Sequence, residues 1–428
     1  MFELETGRST MSLLSSLDRF IFGALSPRKQ LSSRYMRVSW VFIFEADGKN
    51  RLVTLDMLRI GKSLRIPSES GKNNFDPIVV DFGDKVEISY KTGPGQFTPS
   101  PFEVARFVPL DRRTFQIFGL IQAECTKRLT YSSFDFSNTS ASVVRSVLDY
   151  FENIWRVPRE RWRVYVEYWR GKLDQDRKGM IVNFWTSQLS IQDWQVKVRV
   201  GKKERLSEQA SLFGTASIRL NNRIAQVLIM QVLERVRGIV EGDRSAAGAY
   251  LCGLFAGDGI LLQHKGRLRA VGLSFNPRSD ELSHYKKVLA QIGITIDAEK
   301  LLKSGKRAIF LTHWRNGIAL LEASGGELFL PQRRNAVRFY RGFLANQYIK
   351  PLLRLRLLRD RPLTAKEFAS AIGVCRRTGN LNLNRCVDLG FLRREAGISS
   401  PPFLFHLTDR GKTFLKVVEK VEKFLREG

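Results

Sequence analysis

Acidic residues are scarce in this chain. Across 428 residues, 42 Asp and Glu stand against 70 Lys and Arg, for a net charge of +28. That balance argues against a protein made for cationic partners and sets up a field that attracts polyanions. Cysteine and histidine are scarce too, at four each. Cys125, Cys252, Cys375 and Cys386 form no C-x-x-C pair, and His264, His284, His313 and His406 do not cluster with them. A zinc site and a disulfide framework are both disfavoured by this spacing. Reduced thiols are expected instead. No apolar run is long enough to span a bilayer. The stretch TGPGQF lacks the G-K-[ST] end of a phosphate-binding loop. The N-terminal stretch carries Glu3 and Glu5 and little apolar length, so no secretory leader is expected.

What remains is an ordinary globular composition, 43% hydrophobic and 26% charged, long enough for roughly two to four domains. On such a chain, nucleic acid is the leading partner for the excess positive charge. The expected compartment is cytoplasmic and nucleoid-associated, with an organellar address left open. A monomer that spans no membrane is expected.

The fold class read from the pattern is α+β. Residues 1–34 read as an N-terminal arm with one short helix at 11–25. Residues 35–100 read as a small β-rich domain, most simply a small barrel. Runs such as RVSWVFIF, PIVV and KVEISY are cut there by DGK and FGD turns. Residues 91–101 read as a linker. Two larger units follow, at 111–240 and 241–345. Each opens with an apolar helix and continues strand, helix, strand, helix, so a whole α/β unit is repeated. Residues 346–428 read as a winged helix-turn-helix: three short helices, a β-wing and a long closing helix. Its third helix carries Arg376, Arg377, Asn380 and Asn384. Arginine suits guanine and asparagine suits adenine in a major groove.

The two helices that open the repeated units carry the chemistry. IFGLIQAEC, at 117–125, aligns with LCGLFAGDG, at 251–259. Gly119 matches Gly253, Ala123 matches Gly257, and Glu124 matches Asp258. Residues four apart share a helix face. Gly119 with Ala123, and Gly253 with Gly257, therefore make stripes on which a second helix can pack closely. If the two helices pack on each other, Glu124 and Asp258 face one another across a pseudo-twofold axis. Ionised carboxylates so placed repel. A hard divalent cation, Mg²⁺ or another, offsets that and suits phosphodiester hydrolysis.

Strand periodicity places further cations outward. Arg161, Arg163 and Tyr165 alternate with apolar residues in RWRVYVEYW. Gln195, Lys197 and Arg199 do so in WQVKVRV. Arg219 does so in SIRL, and Arg267 and Arg269 in RLRAVGLSF. These groups can meet phosphates or base edges.

Both helix stretches resemble the LAGLIDADG motif of the homing endonuclease family. The resemblance covers residues 113–342, about half the chain. The second stretch keeps the glycine, apolar, small and acidic positions. The first departs at its last position, where Cys125 replaces glycine. The resemblance implies tandem pseudo-twofold αββαββα repeats whose antiparallel sheets form a saddle over DNA. It implies Glu124 and Asp258 as the paired metal-binding, catalytic acids of a site-specific double-stranded DNA endonuclease. Two alternatives stay open: a non-cutting DNA-binding transcriptional regulator, and a maturase acting on structured intron RNA.

Overall fold

A computed structural model describes residues 39–427 apart from 47–48, 57–65, 68–73, 76, 83, 91–99, 107, 126, 128–131, 169–172, 202–209, 265–266, 278, 297, 303–306 and 397–402. The expected arm at 1–34 and its helix at 11–25 lie outside the described residues.

The chain is a mixed α+β protein. Its first strands form small antiparallel sheets: β1 (Ser39–Ala46) with β2 (Lys49–Asp56), and β3 (Ile66–Pro67) with β4 (Asn74–Phe75). A meander follows of β5 (Pro77–Asp81), β6 (Lys85–Tyr90) and β7 (Phe102–Ala105). Alternation drives it: Val86, Ile88 and Tyr90 are buried while Lys85, Glu87 and Ser89 are not. β7 lies beyond the linker read in the sequence, and no closed barrel forms among the described residues.

Two helices make the centre of the molecule. α1 (Arg112–Glu124) is capped by Asp111, whose carboxylate accepts from the Thr114 N–H at 2.8 Å. The first unit continues with β8 (Phe134–Asn138), α2 (Ala141–Asn153), β9 (Trp162–Tyr168), α3 (Gln175–Leu189), β10 (Val196–Val200), the single turn α4 (Ala210–Phe213), β11 (Thr215–Leu220) and α5 (Arg223–Val240). Its sheet runs β10-β9-β11-β8. One face is packed by aromatic side chains: Phe134, Phe151 and Trp162 lie within 5.4 to 6.1 Å of one another, centroid to centroid.

The second unit begins with α6 (Arg244–Asp258), capped by Asp243 onto the Ser245 and Ala246 N–H groups. It continues with β12 (Gly259–His264), β13 (Arg267–Phe275), α7 (Glu281–Gln291), β14 (Ala298–Leu301), β15 (Arg307–Leu311) and α8 (Trp314–Ser324). Its sheet runs β12-β13-β15-β14 and is antiparallel throughout. This unit follows the expected αββαββα order, with β12 starting where α6 ends.

The first unit departs from that order in two ways. The chain leaving α1 makes a single antiparallel bridge, Cys125 to Phe136 of β8, where the second unit has the whole of β12. Then α3, β10 and α4 are inserted between β9 and β11. Removing the insertion leaves Cys125, β8, β11 and β9 in the same spatial order as β12, β13, β15 and β14. The expectation of purely antiparallel sheets is corrected here, because β10 pairs with β9 in parallel. The helical crossover through α3 brings the chain back in the same direction, as a parallel neighbour requires.

After α9 (Arg333–Leu344) come a short turn, α10 (Lys350–Leu353), and a 3-10 segment at Arg354–Leu358. β16 (Leu363–Thr364) leads into α11 (Ala365–Ala371), α12 (Arg376–Asp388), β17 (Leu392–Glu395), β18 (Leu404–Leu407) and α13 (Asp409–Arg426). The three strands make one small sheet, β16-β18-β17. A capping box fixes α11, Thr364 bonding the Glu367 N–H and Glu367 bonding back. No described helix is long and apolar enough to cross a membrane.

Candidate active site and nucleic-acid interface

α1 and α6 pack on each other through their glycines, and the contact is reciprocal. A Cβ placed on Gly119 would lie 2.1 Å from the Tyr250 carbonyl oxygen and 2.9 Å from the Leu254 nitrogen. A Cβ placed on Gly253 would lie 1.8 Å from the Gln116 carbonyl oxygen and 2.8 Å from the Leu120 nitrogen. Gln116, Gly119 and Leu120 occupy in α1 the places of Tyr250, Gly253 and Leu254 in α6. Each glycine thus meets the equivalent backbone of the other helix, as a pseudo-twofold contact demands. Near the axis Gly257 meets Ala123, its own counterpart, at 2.4 Å from a placed Cβ.

Glu124 and Asp258 are the last residues of the two helices. The same Cβ position on Gly257 lies 3.7 Å from Glu124 Oε1, so the Glu124 carboxylate sits against the residue preceding Asp258. Each acid accepts a hydrogen bond from a later strand of its own unit, β8 for Glu124 and β13 for Asp258. Asn138 Nδ2 donates to Glu124 Oε1 at 2.8 Å, and Ser274 Oγ donates to Asp258 Oδ1 at 2.8 Å. Both acids also sit at the negative ends of helix dipoles, where carboxylates are disfavoured.

The donor set is hard oxygen, which suits a divalent cation of the Mg²⁺ type sharing its shell with water and phosphate. Among the described residues no group of three or more His, Cys, Asp or Glu is placed to hold a metal. Glu124 and Asp258 would be the protein's share of such a shell.

Cys125 leaves α1 in an extended conformation, φ −93° and ψ 160°, close to that of Gly259 at φ −72° and ψ 135°. Neither position needs a left-handed backbone. Gly259 is required by space instead: a Cβ there would lie 2.0 Å from the Phe255 carbonyl oxygen and 2.6 Å from Phe329. Burial pushes the Cys125 thiol up to about 12, so it stays protonated beside the acid.

Residues that sequence reasoning missed surround the pair. Asn138 and Ser274 have no motif position, because their role arises only when a strand crosses a helix end. Lys127 forms a salt bridge with the nearly buried Glu281 of α7, tying the first unit to the second beside the acids. Its place three residues after Glu124 was the one available signal.

The first sheet presents a polar face. Register places Asp135, Arg219 and Arg163 in one row, Ser137, Ser217, Tyr165 and Lys197 in the next, and Thr215, Glu167 and Arg199 in a third. Arg219 is held by Asp135 at 2.6 and 3.0 Å, and Arg199 by Glu167 at 2.6 Å. Arg219 also lies 4.7 Å from the Tyr165 ring centroid, and Arg163 lies 4.3 Å from that of Trp194. Lys197 is exposed.

One expectation is corrected, at Gln195, while Arg161 is exposed as expected but lies outside the strand. Arg161 precedes β9, in a 3-10 turn, and donates to the Pro101 carbonyl at 3.3 Å. Gln195 is buried, because its side-chain amide closes a cap on Gln192 and donates to the Arg159 and Trp162 carbonyls at 2.8 and 3.0 Å.

The second sheet differs. The strand face that carries Ser274 also carries Ile260, Ala270, Ala308 and Phe310, packed with Leu302 as an apolar cluster. Arg267 and Arg269 are exposed only at the start of β13, before the strand becomes buried. On α12, Arg376, Arg377 and Asn380 are exposed and Asn384 is half-buried. Gly379 and Leu383 turn inward, with a Cβ on Gly379 falling 2.7 Å from the Ala369 Cβ of α11.

No protein-family model matches the chain, and no curated protein matches it. Among solved structures, one similar chain comes from work on the structures and dynamics of mesophilic variants of the homing endonuclease I-DmoI. It is 12% identical, with 55% of this chain and 92% of that chain covered, at a TM-score of 0.24.

Proposed function

We propose that this protein is a site-specific double-stranded DNA endonuclease of homing type, built from two LAGLIDADG units with a winged helix at the C-terminal end. One observation carries the reading: the reciprocal glycine contact joins α1 and α6 so that Glu124 and Asp258 end side by side. Two acids at joined helix ends repel, and nothing in core packing calls for them. A bound Mg²⁺ would neutralise the pair and polarise a phosphodiester for attack by water. Asn138 and Ser274 hold the carboxylates in orientation. The polar face of the first sheet, with Arg163, Lys197, Arg199 and Arg219, supplies phosphate and base contacts. The net charge of +28 supports a polyanionic duplex as the partner.

The test is cleavage of a duplex selected from a random library by the full chain. Wild type is expected to cut it in Mg²⁺, and Asp258→Asn to bind it with similar affinity without cutting. An Asp258→Asn protein that cuts like wild type would remove the acids from the mechanism. A wild type that protects a duplex but leaves it intact in both Mg²⁺ and Mn²⁺ would make the chain a DNA-binding regulator. Selective binding of structured intron RNA in place of duplex DNA would favour the maturase reading.

A further inference from the structure

The C-terminal module is clamped to the second unit at two places. On α13, Arg410 makes two hydrogen bonds to Glu322, at 2.9 and 2.7 Å, and Lys420 donates to Glu327 at 2.6 Å. Glu327 also takes Arg112 of α1, at 2.8 Å, so the clamp reaches the central helix pair. Val417 and Val421 close on Gly326, and Phe424 packs edge-on to Tyr340 with centroids 5.9 Å apart. The second clamp is an aromatic column. His313 stacks on Trp314 at 5.7 Å, Trp314 stacks on Tyr348 at 5.7 Å and 16°, and Arg385 lies 5.6 Å from the Tyr348 ring. Arg385 belongs to α12, and His313 lies two residues past the end of β15. The column therefore ties the exposed helix to the margin of the second sheet.

A lone exposed ion pair fixes little. Here a bidentate pair, a second pair, an apolar seam and a stacked column act at both ends of the module, which fixes its orientation. The cations divide accordingly. Arg410 and Lys420 face carboxylates and serve the clamp. Arg376 and Arg377 on α12, Arg315 beside the column, and Arg267 and Arg269 make no salt bridge with a described residue. Arg269 lines the same small cleft as His313 and Trp314, so unneutralised cations lie to either side of the column, on β13 and on α12.

We propose that α12 and the exposed start of β13 form one continuous duplex-DNA surface, held at fixed spacing from the paired acids. The target is then composite: a core segment, and a flanking segment at one distance and one helical phase. This rests on the DNA reading above. The experiment footprints the full chain on its selected duplex. Arg376→Ala with Arg377→Ala is expected to erase protection at one end alone and to lower affinity about tenfold or more. Both side chains are exposed, and an unchanged thermal melt will verify the fold. Inserting about 5 or about 10 base pairs, half a turn or a full turn, between that end and the rest is expected to cost as much as the double substitution. Full affinity after the full-turn insertion overturns the fixed spacing. An unchanged footprint in the double variant overturns the surface. Failure of the full chain to select any duplex overturns the DNA reading itself, a result distinct from both.

Discussion

Gly257 meets Ala123 where the two central helices end: a Cβ placed on the glycine would come within 2.4 Å of the alanine Cβ. The joint is closed by missing side chains. Gly253→Ala tests it most sharply, since its new Cβ would lie 1.8 Å from the Gln116 carbonyl oxygen, which is backbone. The helices must part, at a cost of about 1–3 kcal/mol or more. Urea unfolding is expected to show a lower midpoint at an unchanged slope. Gly238→Ala is the control. It lies within α5 with nothing inside 4 Å of a placed Cβ, and should gain about 0.5–1 kcal/mol of helix propensity. Equal midpoints for Gly253→Ala and wild type would contradict the close approach.

The acids predict a stability signature independent of cleavage. Without divalent cations, Asp258→Asn removes one of two like charges from the negative ends of joined helices. It should be at least as stable as wild type, by up to about 1 kcal/mol. The Asn side-chain oxygen can still accept from Ser274. Mg²⁺ should raise the melting temperature of wild type by binding the folded state alone. That rise should vanish in Asp258→Asn and in Glu124→Gln. A rise of equal size in all three would place cation binding elsewhere.

On the first sheet, Asp135 and Glu167 neutralise the arginines beside them in the same rows. Arg219→Ala should therefore weaken binding and flatten its dependence on salt, reducing the slope by about one. Asp135→Asn should act oppositely on unspecific DNA, raising its affinity by freeing Arg219 for any phosphate. Titrations on selected and random duplexes across a salt series will separate the two effects. If both substitutions leave the slope alone, this face does not touch the backbone.

Acid pH should loosen the second unit. Burial pushes His284 below its ordinary 6.5, against a hydrogen bond at 2.8 Å with Glu241; its other ring nitrogen lies 3.0 Å from the Tyr250 hydroxyl. The unfolded chain takes up this proton near 6.5, while the folded chain does so only at lower pH. Stability is therefore full above 6.5 and falls as pH drops toward the folded value. Urea midpoints at about pH 7.5 and 5.5 should differ in wild type and differ less in His284→Gln. An identical drop in both would assign it to the carboxylates.

The helix joint was legible because four-residue spacing maps directly onto one helix face, so glycines and acids in LCGLFAGDG declare their neighbours. The polar face of β9 and β11 was legible by the same logic with a period of two. Other features were not. Gly259 stops the helix, but ILLQH after it has no polar alternation to mark it as a strand. The parallel pairing of β10 depends on the crossover through α3, not on the residues of β10. Gln195 sits one position before β10, where its amide serves a cap and overrides the alternation. Asn138 and Ser274 look like any polar strand residue until the strand passes a helix end.

The insertion that adds β10 enters at the outer edge of the first sheet, as far from β8 as that sheet extends. It changes neither the glycine stripe nor the exit of α1. A duplicated architecture can thus grow lopsided while its hinge stays balanced. One half gains a strand bearing Lys197 and Arg199, and the central helices still join at Gly257 and Ala123. A target matched to such a protein has no reason to be a palindrome, since each half of the duplex would meet a different surface.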